Sequence, residues 1–178
     1  MYKINSIRKN IAVVLQDVFL FSDTIANNIT LNNNDISRDE VIRASKDVGA
    51  DAFIKNLPLG YNYNVMERGA MLSVGQKQLI AFIRAYINHP KILILDEATS
   101  SIDTETEKLI QYATNKLTSQ RTSIIIAHRL ATIQKADKII VLDKGEILEE
   151  GNHQELLRKN GSYKRLFELQ FKNENILT

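Results

Sequence analysis

Ser73-Val74-Gly75-Gln76, then a helical run, then Ile92-Leu93-Ile94-Leu95-Asp96-Glu97, then Ser101-Ile102-Asp103: this stretch decides the fold. Ser73-x-x-Gln76 spells a capping box, in which each side chain satisfies a free N–H at a helix start. Behind it Leu79, Ile80, Phe82, Ile83, Tyr86 and Ile87 give a wide apolar helix face, and Pro90 closes the helical region. Lys91 to Leu95 reads as a buried strand, and it ends on two carboxylates. An acidic turn follows. Helix start, buried strand and acidic turn in this order suit a protein that handles phosphate.

Upstream, Ile11-Ala12-Val13-Val14-Leu15 is a second buried strand, ending at Gln16-Asp17. Val18-Phe19-Leu20-Phe21 is an apolar tetrad where a loop belongs. A short helix is expected over Thr24 to Ile29, and Asn32-Asn33-Asn34-Asp35 is a turn. Ser37-x-x-Glu40 is another capping box, with Val41, Ala44 and Val48 as its stripe. Asp51 to Leu57 reads as a helix stopped by Pro58, and Gly60 to Met71 as irregular. Downstream, Thr104-x-x-Glu107 offers a cap to a helix carrying Leu109, Ile110, Ala113 and Leu117. Thr122 to Ala127 is a third apolar strand, ending at His128. A brief helix over Arg129 to Gln134, a hairpin around Asp143-Lys144-Gly145, and helices near His153 to Lys159 and Tyr163 to Phe171 complete the chain.

Strand and helix alternate, which predicts an α/β fold with a largely parallel sheet. In such sheets ligands sit beyond the carboxyl ends of the strands. Gln16, Asp96, Glu97 and His128 all follow a strand end. The expected division is a helical subdomain over about 22–88, the rest of the α/β core over 1–21 and 89–150, and C-terminal helices over 151–178.

Composition narrows the classes. The 178 residues are 44% hydrophobic and 25% charged, ordinary for a globular chain able to bury a core. Basic and acidic residues, 23 and 21, are interleaved and leave a net charge of +2. No nucleic-acid footprint or polybasic membrane patch stands out. Without cysteine there are no disulfides, thiolate metal sites or thiol nucleophiles. No apolar run approaches the roughly 18 residues of a membrane span, so a membrane link needs a partner.

Each candidate residue also has a plain structural reading. Asp96-Glu97 after four aliphatics suits magnesium-phosphate chemistry, one carboxylate supporting the ion and its neighbour polarising a water. It also suits an acidic helix cap. Ser73 to Gln76 presents free N–H groups and a positive dipole end to an anion, or it is a capping box and nothing more. Gln16 is either an ion or water ligand or a solvated strand end. His128 either donates to a phosphate oxygen or is structural. His89 and His153 read as surface residues, and three such histidines make no metal cluster. Phe19 and Phe21 read by default as core.

Taken together these residues resemble the nucleotide-binding domain of an ABC transporter, of exporter type. Gln16 matches the Q-loop, Leu72-Ser73-Val74-Gly75-Gln76 the signature, Ile92 to Asp96 with Glu97 the Walker B strand, Ser101-Ile102-Asp103 the D-loop, and His128 the switch histidine. The motifs occur in the family's order and span nearly the whole chain. Glu67-Arg68-Gly69 is similar to the exporter X-loop. Val74 stands where glycine is commonest, and Met66 where exporters usually carry glycine.

The resemblance implies a P-loop-NTPase-like ABC ATPase fold, with ATP and Mg²⁺ as cofactors. It implies that Asp96 supports Mg²⁺, that Glu97 is the general base, that Gln16 senses the ion and that His128 contacts the γ-phosphate. Ser73, Gly75 and Gln76 would bind nucleotide held by a second ABC ATPase domain in a head-to-tail homo- or heterodimer, with Asp103 at that interface. Phe19, Phe21, Glu67, Arg68 and Gly69 would face an exporter's transmembrane domain, which reverses the default for the two phenylalanines. Nucleic acid is not an implied partner, and the expected place is the cytoplasmic face of a membrane.

A P-loop requires G-x-x-x-x-G-K-[ST], whose N–H groups and lysine hold the phosphates. The glycines stand at 49, 60, 69, 75, 145, 151 and 161, and no two are five apart. The family places this loop upstream of the Q-loop, so the chain is expected to be a C-terminal portion of an ABC ATPase domain. Weak ATP binding by the isolated chain and exposed apolar surface are the expected consequences. Two alternatives remain: a non-catalytic remnant or interaction module, and an ABC-type ATPase of DNA repair. The latter interposes a long coiled coil, and no sustained heptads occur here.

Overall fold

The aliphatic runs become strands because β-branched and leucine side chains pack on both faces of a pleated ribbon. The computed structural model describes residues 4–96, 103–119, 121–127 and 130–171. It divides into two compact units, Met1–Ile126 and Ala127–Thr178.

The first unit runs α1 (Ile4–Arg8), β1 (Ile11–Val14), α2 (Ile25–Thr30), α3 (Arg38–Val48), α4 (Asp51–Asn56), α5 (Val74–Ile87), β2 (Ile92–Asp96), α6 (Thr104–Thr118) and β3 (Thr122–Ile126). Two 3₁₀ turns, Gly60–Asn62 and Glu67–Gly69, lie in the stretch expected to be irregular. The strands form one parallel sheet in the order β1-β2-β3. Val14 pairs with Leu95, and Asp96 with Ile126.

One sheet face is the core. Val14, Leu93 and Leu95 are buried there in one cluster with α5 and α6, among Leu79, Ile80, Ile83, Ile110 and Leu117. Each such side chain contributes about 1.5–3 kcal/mol by leaving water. The other face alternates with it and is open. Val13, Ile124 and Ile126 are each more than half exposed, as is Leu15 just past β1. Exposed apolar surface was the expectation, and in a parallel sheet it is unusual, because such sheets are normally covered on both sides.

Helix α5 is buried nearly all round, as its composition requires. It stops where Asn88 Nδ2 donates to the Arg84 carbonyl at 2.8 Å and His89 turns to φ +45° before Pro90. Helix α6 is capped one residue earlier than the sequence suggests. Asp103, not Thr104, accepts the Thr106 amide at 2.9 Å. A charged carboxylate oxygen at the better-placed position wins.

The second unit runs α7 (Leu130–Gln134), β4 (Ile139–Asp143), β5 (Glu146–Gly151), α8 (His153–Lys159) and α9 (Ser162–Phe171). β4 and β5 form the expected antiparallel hairpin. Lys144 and Gly145 turn it with φ +49° and +85°, the positive pair that a two-residue hairpin loop requires. Val141, Leu156 and Tyr163 make a small core. His153 corrects the sequence reading, since it is buried rather than at the surface. Its Nδ1 lies 2.7 Å from the Tyr163 hydroxyl, and Phe167 packs on its ring. A histidine at a helix start has one buried side to give, and a tyrosine ten residues on satisfies it.

Candidate functional site

The register of the sheet carries Gln16 and Asp96 to one edge. Val14 pairs with Leu95, so Gln16 lies just past β1 beside the end of β2. Asp96 is half-buried and ends β2, while Gln16 is exposed. Glu97, Ser101, Ile102 and His128 lie outside the described residues. Among the described residues no group of three His, Cys, Asp or Glu side chains is gathered for a metal.

The capping box at the start of α5 is present as read. Ser73 Oγ accepts the Gln76 amide at 3.2 Å, and Gln76 Oε1 accepts the Ser73 amide at 3.0 Å. The box therefore occupies two of the free N–H groups of this helix end and leaves those of Val74 and Gly75. Gly75 is buried, whereas Val74 projects outward and is 57% exposed. Asp103 is held by its own helix: the Thr106 amide first, then further local hydrogen bonds, keep its carboxyl below the usual aspartate range.

The two stretches expected to face a transmembrane domain lie together. Leu20 is fully buried, while its neighbours Phe19 and Phe21 are more than half exposed and meet edge to face, 5.0 Å between ring centres. Gly69, at φ +66°, sits against Leu20. A Cβ there would stand 2.9 Å from Leu20 Cδ1, so a larger residue would have to push that buried side chain aside and hold a strained backbone. Glu67 and Arg68 are exposed beside it. Thr24 bridges to Asn64, and the Val65 amide donates to the Asp23 carbonyl at 3.0 Å, which locks the two stretches in register. A groove of about 880 Å³ next to Phe19 is lined by Val14, Leu31, Ala81, Arg84 and Ala85.

Two residues that build this surface escaped the sequence reading. Asn28 is fully buried in α2. Its Oδ1 accepts the Phe21 amide at 2.8 Å, and its Nδ2 donates to the Phe21 and Thr24 carbonyls at 3.0 Å. Arg84 donates from Nε to the Asn28 carbonyl at 2.9 Å. Burial lowers its pKa from the ordinary arginine value. The signal was available: each is a polar residue inside an otherwise apolar helical stripe.

A comparison with family models matches residues 1–100 to the ABC transporter family. The chain belongs to that family. Among its curated relatives is an uncharacterized ABC transporter ATP-binding protein of Bacillus subtilis, YknV, 54% identical over 93% of this chain and 28% of the relative. An ATP-dependent lipid A-core flippase of Haemophilus influenzae is 52% identical over 96% of this chain and 29% of its own length. A solved bacterial Atm1-family ABC exporter with ATP bound matches with a TM-score of 0.84 and 44% identity, covering 94% of this chain and 29% of that one. The chain thus spans less than a third of the length of these relatives. Its α/β architecture is that of the ABC ATPase domain.

Against the ABC pattern, the two departures have visible backbone settings. Met66 adopts φ +57°, ψ −170°, a region that glycine alone occupies without strain. Val74 is the first residue of α5, where a β-branched side chain stands at the mouth of the helix's free amides.

Proposed function

We propose that this chain is part of the ATP-hydrolysing domain of an ABC exporter and works with a transmembrane partner at the cytoplasmic face of a membrane. The observation that carries the reading is the parallel register that brings Gln16 and Asp96 to one carboxyl edge. That is where a nucleotide binds in an α/β sheet. No helix among the described residues is long and apolar enough to cross a membrane.

The roles are those the family resemblance implies, and the residue types suit them. Asp96 and Gln16 offer oxygen ligands of the kind Mg²⁺ accepts from one or two side chains, the remainder coming from water and phosphate. Bound there, the ion would neutralise charge on the transferring phosphoryl group. Glu97 takes the proton of the attacking water as general base, and His128 donates to the γ-phosphate. Ser73, Gly75 and Gln76 present a helix end to nucleotide held by a second ABC ATPase domain, with Asp103 at the interface. The relatives' names describe export and flipping, which supports a membrane partner received by Phe19, Phe21 and the Glu67–Gly69 turn.

A second reading has an observation of its own. No G-x-x-x-x-G-K-[ST] pattern occurs in the 178 residues. On that reading the chain is an interaction module lending its signature face to another domain's nucleotide. One experiment separates the two. The chain is mixed with an intact ABC ATPase domain of a relative, and ATP turnover is measured. Both readings expect a change in rate that Ser73→Ala removes. Only the hydrolytic reading expects Glu97→Gln to remove part of it. An unchanged rate on mixing rejects both.

A further inference from the structure

We propose that Arg84 is a positioning residue that fastens the Phe19–Phe21 segment to α5, so that the exposed aromatic pair and the helix beginning at Ser73 move as one body. The proposal rests on the reading of Phe19 and Phe21 as partner-facing.

Three observations meet at this side chain. Arg84 lies on α5 among Ile80, Ala81, Ile83 and Ala85, all buried. Its guanidinium spans two other segments: Nε donates to the Asn28 carbonyl at 2.9 Å, and Nη1 and Nη2 both lie 3.4 Å from the Phe19 carbonyl. The Asn28 carbonyl belongs to the last turn of α2, where carbonyls lack partners within the helix and carry the negative end of its dipole. Asn28 in turn grips both backbone polar groups of Phe21. The segment is therefore held from both ends. Arg84 holds Phe19, Asn28 holds Phe21, and the buried Leu20 side chain anchors the residue between them. That alternation is what turns the two rings outward in their edge-to-face contact.

The chemistry of arginine is specific here. Its planar fork reaches two carbonyls from separate segments at once, which the point charge of a lysine does not. A merely space-filling role would accept lysine. A positioning role does not.

The test uses the full chain with fluorophenylalanine and amide hydrogen exchange. Arg84→Gln is expected to raise exchange of the Phe21 amide about tenfold, the equivalent of one hydrogen bond, and to shift the Phe19 and Phe21 ring signals toward free fluorophenylalanine. Amides of α3 keep their protection. Arg84→Lys is expected to behave like Arg84→Gln. Parent-like exchange at Phe21 in Arg84→Gln, or full restoration by Arg84→Lys, overturns the proposal. Should Arg84→Gln fail to fold, the parent decides: its Arg84 Nε–H is expected to exchange slowly, and exchange as fast as in free arginine overturns the proposal. Association with a membrane partner is a separate measurement. If Phe19→Ala weakens it and Arg84→Gln does not, the positioning role is rejected. If Phe19→Ala leaves it unchanged, it is the partner-facing reading that fails.

Discussion

At the scale of single residues, backbone strain and local hydrogen bonds give the sharpest expectations. Met66 holds a conformation suited to glycine, so Met66→Gly is predicted to stabilise the first unit by about 1 kcal/mol. Thermal unfolding checks this, and a lowered midpoint would contradict it. Asp103 gives a pH dependence. Its folded-state pKa lies below the ordinary aspartate value of 3.8, chiefly through the Thr106 amide. Its contribution is therefore complete above that value and is lost as pH falls through the lower, folded-state one. Amide exchange in the first turn of α6 is predicted to accelerate on acidification in the parent, whereas Asp103→Asn keeps a cap that does not titrate there. Such residues were half legible. The departure at Met66 is visible as a broken pattern, but its φ is not. Thr104 was the expected cap because Thr-x-x-Glu is a recognisable spelling; the structure shows that the aspartate before it reaches the amide instead. His153 was misplaced because a lone histidine carries no sign of whether a tyrosine ten residues later folds back onto it.

At the scale of elements, α5 is the organising helix, and its start can be probed alone. Ser73→Ala is predicted to cost about 1 kcal/mol by freeing the Gln76 amide, read as a lowered unfolding midpoint. Asn28→Leu is predicted to cost more, about 2–3 kcal/mol, because it removes the partner of the Phe21 amide and leaves the Phe21 carbonyl with the Asp23 amide alone. If denaturant unfolding gives the leucine variant parent-like stability, then Asn28 is not what shapes that loop. The strands and long helices were legible, since aliphatic runs and capping boxes are strong local signals. Ile11–Val14, Ile92–Asp96 and Thr122–Ile126 fall where expected. The helix Ile4–Arg8 was not, because five residues with two apolar positions show no period. The contacts of Arg84 with the Asn28 and Phe19 carbonyls were illegible for another reason. They join residues 56 and 65 apart in sequence, and no local pattern encodes such a meeting.

At the scale of the molecule, the open face of the sheet is the dominant fact. Val13 of β1 and Ile124 and Ile126 of β3 lie on it, with Ile94 of β2 in register between Val13 and Ile124. Replacing Val13 and Ile126 with threonine, which keeps the β-branch, is predicted to reduce self-association seen by light scattering while the packed face is untouched. Unchanged scattering would show that this face does not drive self-association. Alternation along the strands made the two faces readable, but which face would be covered was not, because that depends on the helices and not on the strands. The uncovered face has a consequence for what stability means here. Any body that covers it binds the folded chain and not the unfolded one. A cover present at a hundred times its dissociation constant adds about 2.7 kcal/mol. The melting temperature of this chain is then expected to rise with the concentration of whatever covers the sheet. If such a cover exists, the amount of folded chain depends on its concentration as well as on this sequence.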